Sequence, residues 1–176
     1  MSVTIVVWLL LALVFFWIYG LNSRLVRMRS RAQDAMGSME KHMRHYATLV
    51  VPHTQGKEEL PPRWQRLMDM LETLDAELKD ARNLPLTDVT LRRLWRAYEN
   101  VQTAWSSLLK SRTSIGANGI PLPDNVRTEW DDNTFRVLSA RSGVNGILTN
   151  YNEALQQVPA CWVARLLGHV RLGQLA

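Results

Sequence analysis

The sequence predicts an all-α protein in which an N-terminal transmembrane helix continues into an antiparallel four-helix bundle with long, coiled-coil-like helices. Three observations carry this prediction. The first 23 residues have no charged side chain, and further along the chain apolar residues recur at alternating steps of three and four. Strand-like alternation of apolar and polar residues occurs nowhere in the sequence. Such spacing is typical of helices that pack along long seams.

The segment Val3–Tyr19 is almost wholly apolar. At about 1.5 Å per residue, a helix of about 17 to 20 residues spans the hydrocarbon core of a bilayer. A removable signal peptide is the alternative, but it needs a basic start and a small-residue cleavage site. Here no Lys or Arg precedes the segment, and it ends in the bulky run 15–19. We therefore predict that residues 1–20 form an uncleaved anchor in contact with membrane lipid.

Four arginines follow the anchor and predict its orientation. They are Arg24, Arg27, Arg29 and Arg31, and they precede the first acidic residue, Asp34. The positive-inside rule then places the N-terminus outside and residues 21–176 in the cytoplasm, as one helical-bundle domain. The same arginines are candidate contacts for anionic lipid headgroups.

The composition excludes several classes of protein. Hydrophobic residues make up 47% of the 176 residues and charged residues 21%, which is unlike a disordered chain. The net charge of +5 is largely accounted for by the four arginines after the anchor, so it does not indicate nucleic-acid binding. The single cysteine, Cys161, excludes an internal disulfide and fits a reducing compartment.

The first helix is predicted to continue from the anchor to about Val51, where Pro52 ends it before a loop at 53–56. Its seam is Leu25, Met28, Ala32, Ala35, Met39, His42, Tyr46 and Leu49. Pro61 and Pro62 fit the start of a second helix that ends at 83–85. The apolar positions of that helix are Trp64, Leu67, Met68, Leu71, Leu74 and Leu78.

Thr87 or Asp88 is a candidate cap for the third helix, and Asp124 for the fourth, with a loop at 115–123 between them. The third helix has one apolar face, formed by Leu91, Leu94, Trp95, Tyr98, Val101, Trp105, Leu108 and Leu109. The fourth has the most regular seam, formed by Val137, Ala140, Val144, Ile147, Tyr151, Ala154 and Val158. Pro159 then stops it.

A short apolar tail follows Pro159, with Trp162, Val163, Leu166 and Leu167 at helical spacing. Four helices that run alternately away from the bilayer and back bring this tail near the anchor. Trp162 and Arg165 are therefore candidate lipid or partner contacts, together with the four arginines.

Residues with the spacing of known catalytic sites are missing from the sequence. It contains no Glu-x-x-His pair, Gly-rich phosphate loop, Gly-x-Ser-x-Gly elbow or Cys-x-x-Cys motif. His42 and His45 could share a helix face, but two histidines without a third ligand make a weak metal site. We expect no catalytic residue, no metal and no cofactor.

Two stretches resemble the LemA family of bacterial membrane proteins. The first extends from Asn22 to Met39 and is similar to that family's Leu-Val-x-Leu-Arg-x-x-Val-x-x-Ala-Trp-x-x-Ile block. Leu25, Val26, Arg29, Ala35 and Met39 fall on its main positions, and Met36 replaces the Trp. The second comprises Tyr151-Asn152-Glu153-Ala154, Val158-Pro159, Ala164, Leu166 and Gly168. It is similar to Tyr-Asn-x-Ala, Phe-Pro and Ala-x-Leu-Phe-Gly-Phe.

The resemblance covers about residues 5–50 and 140–169, with the middle of the chain dissimilar. It implies a bacterial inner-membrane anchor, a cytoplasmic antiparallel bundle and no known catalysis. Family relatives in magnetosome-forming bacteria are linked to building membrane compartments. Val158 replaces the family's Phe, and Leu-Leu-Gly-His replaces Leu-Phe-Gly-Phe, which suggests a divergent member with altered packing of the tail.

Two functions follow as expectations. The first is a membrane-anchored scaffold or interaction module whose partner is a second copy of the chain or another membrane protein. The second is a lipid-facing, membrane-shaping or oligomer-forming protein that uses the arginines and the apolar tail. An enzyme is the least favoured class.

The predicted orientation can be tested with reporter fusions at Ala176. A reporter active only in the cytoplasm should be active there, because the arginines after the anchor favour the inner side. A reporter active only in the periplasm serves as the control and should be silent. The reverse pattern would contradict the orientation.

Overall fold

The computed structural model describes residues 2–56, 60–83, 87–112, 123–157 and 160–175. Within these ranges it contains five α-helices and no strand. They are α1 (Ser2–Thr54), α2 (Pro62–Asn83), α3 (Asp88–Arg112), α4 (Asp124–Gln156) and α5 (Ala160–Leu166). The all-α helical bundle with an N-terminal apolar helix is confirmed.

Helix α1 joins the apolar segment to the bundle without a break over 53 residues. In its first part the large apolar side chains are exposed; Trp8, for example, is 69% exposed. From Leu25 onward one face is buried against the other helices. In the part of the chain described, α1 is the one helix long and apolar enough to cross a membrane, judged by length and composition. The end of the bundle next to this segment is called the proximal end below.

The prediction that Pro52 ends the first helix is wrong, because α1 continues to Thr54 with Pro52 inside it. A proline removes its own N–H donor from the helix, and its ring crowds the carbonyl four residues earlier. At Pro52 both effects fall on the last turns of α1, so little of the helix is disturbed. The following turn still closes, since the Gln55 amide donates to the Val51 carbonyl at 3.2 Å. Gly56 then takes a left-handed φ of 78°, which is typical of the residue after a helix.

The two predicted caps have different outcomes. Thr87 caps α3, because its Oγ1 accepts a hydrogen bond from the Thr90 amide at 3.3 Å. Asp124 is not a cap: Pro123 occupies the N-cap position of α4, and no side chain caps that end. Asp124 is the first helical residue instead, where its charge favours the positive end of the helix dipole.

The helices pack as two antiparallel pairs, α1 with α4 and α2 with α3. In the first pair His45 lies beside Glu129, while Leu25 packs near Tyr151 at the proximal end. In the second pair the Arg63 guanidinium donates a hydrogen bond to the Ser107 carbonyl at 2.9 Å. Arg63 lies near the start of α2 and Ser107 near the end of α3, so these two helices run in opposite directions.

Aromatic side chains connect the two pairs through the core. Trp130 of α4 stacks on Trp105 of α3, with ring centroids 4.0 Å apart and planes 9° from parallel. The centroid of the Trp130 ring is 4.3 Å from that of Tyr46 on α1, and the Tyr46 centroid is 6.1 Å from that of Tyr98 on α3. Trp130 is 1% exposed, and its indole N–H donates to Gln102 at 3.0 Å. One side chain thus contacts two other helices.

The predicted seams form the core. On α4, Val137, Val144, Tyr151 and Ala154 are buried, and Ala140 and Ile147 pack half-buried against the core. The α1 seam is wider than predicted and also buries Met36, Met43 and Val50. The predicted features at Leu84-Pro85, Val158-Pro159 and, apart from Pro123, the 115–123 loop lie outside the described residues.

Replacing the central aromatic should destabilise the whole bundle. We expect Trp130→Ala to lower the free energy of unfolding by about 3 to 5 kcal/mol, because it leaves a cavity between three helices. Phe135→Ala is a matched control on the same helix, since Phe135 is 75% exposed. Its effect should stay within about 0.5 kcal/mol. Urea unfolding of the detergent-solubilised chain, followed by circular dichroism, measures both; equal effects would contradict the packing.

Candidate functional site

The proximal end of the bundle has its own small core. It consists of Leu25 on α1, Ala164 on α5, and Tyr151, Ala154 and Leu155 on α4. Half-buried Leu172 packs against this cluster and also against the main core. Helix α5 is therefore held beside the start of the bundle, as the predicted path of the chain requires.

His169 links the C-terminal segment to α1 and α4. Its Nε2 lies 3.0 Å from the Asn22 Oδ1 and its Nδ1 lies 3.4 Å from the Tyr151 hydroxyl. An amide oxygen only accepts, so Nε2 carries the proton and Nδ1 accepts from the phenol. Burial, reinforced by the Arg29 charge, lowers the pKa of His169, which favours this neutral form. Burial also raises the pKa of Tyr151, which keeps the phenol protonated.

The six residues that the sequence singled out are all exposed side chains on α1 and α5. They are Arg24, Arg27, Arg29, Arg31, Trp162 and Arg165. Arg24, Arg27 and Arg31 follow helical steps of three and four and share one face. Within the described ranges, none of the five arginines has an ion-pair partner within 4.0 Å. The structure gathers the six at one end of the bundle but does not connect them by polar contacts.

The outer face of α5 is apolar and uncovered. Trp162 is 73% exposed and Leu166, one turn later, is 84% exposed, whereas Ala164 faces inward. Val170, just after the helix, is also exposed. Monomeric soluble proteins seldom leave contiguous large apolar patches uncovered. This face and the arginines of α1 lie at the same end of the molecule.

A cleft of about 1350 Å³ separates α1 from α2. Its floor is apolar and includes Met36, Leu78 and Leu172, and its rim includes Arg29 and Lys41. Near the cleft Asp75 forms ion pairs with both Arg44 and Lys79, and such exposed pairs contribute little stability. Sequence reasoning missed this cleft, because it arises from the separation of two helix pairs.

Of the two histidines considered as metal ligands, His45 uses both ring nitrogens in other contacts. The His45 Nε2 lies 3.2 Å from the Glu129 Oε1, and its Nδ1 lies 2.9 Å from the Thr48 hydroxyl. The His42 carbonyl accepts from the Asn133 amide. Among the residues that the structure describes, no group of three His, Cys, Asp or Glu side chains is placed to hold a metal ion.

Sequence reasoning also missed the C-terminal strap, defined here as His169–Leu175. It carries no helix and lies along α4. Asn152 and Asn145 bind its backbone at Leu172 and Leu175. The signal available in the sequence was a pair of amides seven residues apart beside an apolar seam, which does not by itself identify their partner.

Comparison with protein-family models, curated protein sequences and solved structures finds no match to this chain.

Proposed function

We propose that this chain is a LemA-type, single-pass, membrane-anchored scaffold that holds partner proteins at the bilayer and catalyses no reaction. The observation that supports this most directly is the continuity of α1 from the apolar segment through the bundle, Ser2–Thr54. An unbroken helix transmits position and orientation along its whole length, whereas a flexible linker does not. The bundle would therefore stand at a fixed height and angle above the membrane.

The proposed location is the bacterial inner membrane, with the N-terminus outside and the bundle in the cytoplasm. The arginines that follow the apolar segment support this orientation. The two LemA-like stretches support the bacterial assignment, and they include buried structural residues such as Tyr151 and Ala154.

The proposed partner is a second copy of the chain or another membrane protein. Apolar side chains left exposed on the bundle support a docking role, among them Phe135 and Leu138 on α4 and Val89 on α3. Copies anchored in one membrane share a plane and an orientation, which raises their effective concentration relative to free diffusion.

Native mass spectrometry of the detergent-extracted chain tests self-assembly. We expect masses at multiples of the 20.2 kDa chain that survive activation strong enough to strip the detergent. Repeating the measurement over a dilution series separates specific assembly from chance occupancy of one micelle. A monomer at every concentration, with no second protein retained, would contradict the scaffold proposal.

A second candidate function, contact with the lipid surface, is favoured by the outer face of α5. Trp162 and Leu166 are exposed at the proximal end, where tryptophan suits the membrane interface. Nearby Arg24, Arg27 and Arg31 have no ion-pair partner among the described side chains, so they are available to anionic headgroups. On this reading α5 lies against the bilayer that holds the anchor.

An environment-sensitive fluorophore tests this contact in nanodiscs. It is attached to Leu166→Cys, or to Phe135→Cys as a control, both in a Cys161→Ser background. The two sites are similarly exposed, but Phe135 lies beside the part of α4 that contacts Tyr46, far along α1 from the apolar segment. We expect a blue shift and quenching by bilayer-bound nitroxides at position 166 alone, stronger with anionic lipid. Equal behaviour at both sites would contradict lipid contact.

A further inference from the structure

The strap runs antiparallel to α4, and its spacing matches that of the side chains that bind it. Asn152 binds Leu172 and Asn145 binds Leu175. Seven residues of α-helix rise about 10.5 Å, and three residues of extended chain cover about 10 Å. Two turns of α4 therefore place Asn152 and Asn145 opposite two strap residues that are three positions apart, Leu172 and Leu175.

The recognition is directed at the strap's backbone. The Asn152 amide donates to the Leu172 carbonyl at 2.8 Å and accepts from the Leu172 N–H at 3.0 Å. Asn145 binds Leu175 in the same way, with both distances 2.9 Å. Arg141 donates twice more to the Leu175 carbonyl, while its guanidinium lies 3.9 Å from the ring centroid of Trp95. Each asparagine thus satisfies both polar groups of one peptide residue, as a neighbouring strand would.

The side chains of the strap are selected as well. Leu175 is 1% exposed and belongs to the main core, although it is the second-last residue of the sequence. At Gly173 an added Cβ would overlap the backbone of Thr87 and Asp88, so only glycine fits. Gln174 stays exposed. The groove between α4 and the start of α3 therefore accepts an extended Leu-Gly-x-Leu segment.

We propose that this groove is a peptide-binding site for the Leu-Gly-Gln-Leu segment and that it exchanges its own strap with that of a second copy. The inference rests on the proposed scaffold function and names the segment that joins two copies. A second copy supplies a segment that fits the groove at every position, because its sequence is identical. Exchange of an identical element is a low-cost route to dimers.

Three features of the chain make the exchange feasible. The strap is joined to α5 through Gly168, whose left-handed φ of 73° turns the chain out of the helix. Seven extended residues reach about 23 Å, which exceeds the distance of about 8 to 10 Å between the axes of packed helices. Most polar contacts of the strap are hydrogen bonds to the groove, and the strap of a second copy can form the same bonds in their place.

Crosslinking between differently tagged copies in the same membrane tests the exchange. One copy carries Thr149→Cys and the other Gln174→Cys, both with Cys161→Ser. These positions are suitable because the Gln174 Nε2 lies 2.8 Å from the Thr149 Oγ1 at an exposed edge of the groove. A short thiol-to-thiol crosslinker should then yield a linked heterodimer of unique mass. Placing both cysteines in one chain gives the internal product that calibrates the reaction.

Matched variants separate recognition from collision. Gly173→Val in the strap copy should abolish the heterodimer, because the added side chain cannot pass Asp88. Asn152→Leu in the groove copy should do the same by removing the backbone contact at Leu172. Asn150→Cys in place of Thr149→Cys is the position control, since Asn150 is exposed and, among the described residues, forms no hydrogen bond with the strap. Circular dichroism establishes that each variant keeps its helices.

The outcomes are distinct. A heterodimer that is lost in both variants and weak from position 150 supports exchange. An internal product without a heterodimer overturns exchange while leaving the strap in its own groove. If neither product forms, the groove does not bind the strap at all. A heterodimer that persists with Gly173→Val reflects random collision and also overturns the proposal. Assembly seen by native mass spectrometry without a crosslinked heterodimer would leave the scaffold function standing.

Discussion

The packing of Trp130 between Tyr46 and Trp105 is the interaction on which the rest of the structure depends. These three rings come from α4, α1 and α3, so one buried cluster connects both antiparallel pairs. Aromatic rings of this size fill the space between the pairs that smaller side chains would leave open. Toward the proximal end the molecule has the cleft beside α1 and the groove that the strap occupies.

The two ends of the bundle are consequently held by different forces. The aromatic part is stabilised by buried apolar area, which is lost only when the helices separate. The proximal end has a five-residue apolar cluster and relies on hydrogen bonds from His169, Asn152 and Asn145. Because such bonds can re-form with an equivalent partner at little net cost, the proposed exchange of the strap costs mainly the transient exposure of Leu175, which belongs to the main core.

This division fits the proposed function. A scaffold needs one part that keeps its shape and another that accepts a partner, and α1 connects both to the apolar segment. The Tyr-Asn-x-Ala stretch at residues 151–154 also has a physical explanation. Tyr151 and Ala154 belong to the proximal cluster, Asn152 binds the strap, and Gly168 turns the chain out of α5 before it. These residues therefore act together in placing α5 and the strap.

The sequence by itself determined the helices, because helix formation depends on residues three and four positions apart and on caps and breakers close in the chain. It predicted the apolar segment, a cap for α3 at Thr87 or Asp88, and the buried faces. It misjudged Pro52 and Asp124, where neighbouring backbone hydrogen bonds and a preceding proline outweighed the usual preference. It placed the six exposed candidate residues at one end of the bundle but left their role as a prediction.

Only the tertiary structure decided the groove, the cleft and the bound strap. Asn145 meets Leu175 from 30 positions away, and Gln174 meets Asp88 from 86 positions away. No periodic pattern encodes such pairings, since they depend on the angle and distance between helices that the aromatic cluster sets. The close approach that leaves no room for a side chain at position 173 exists only once the start of α3 lies against the strap.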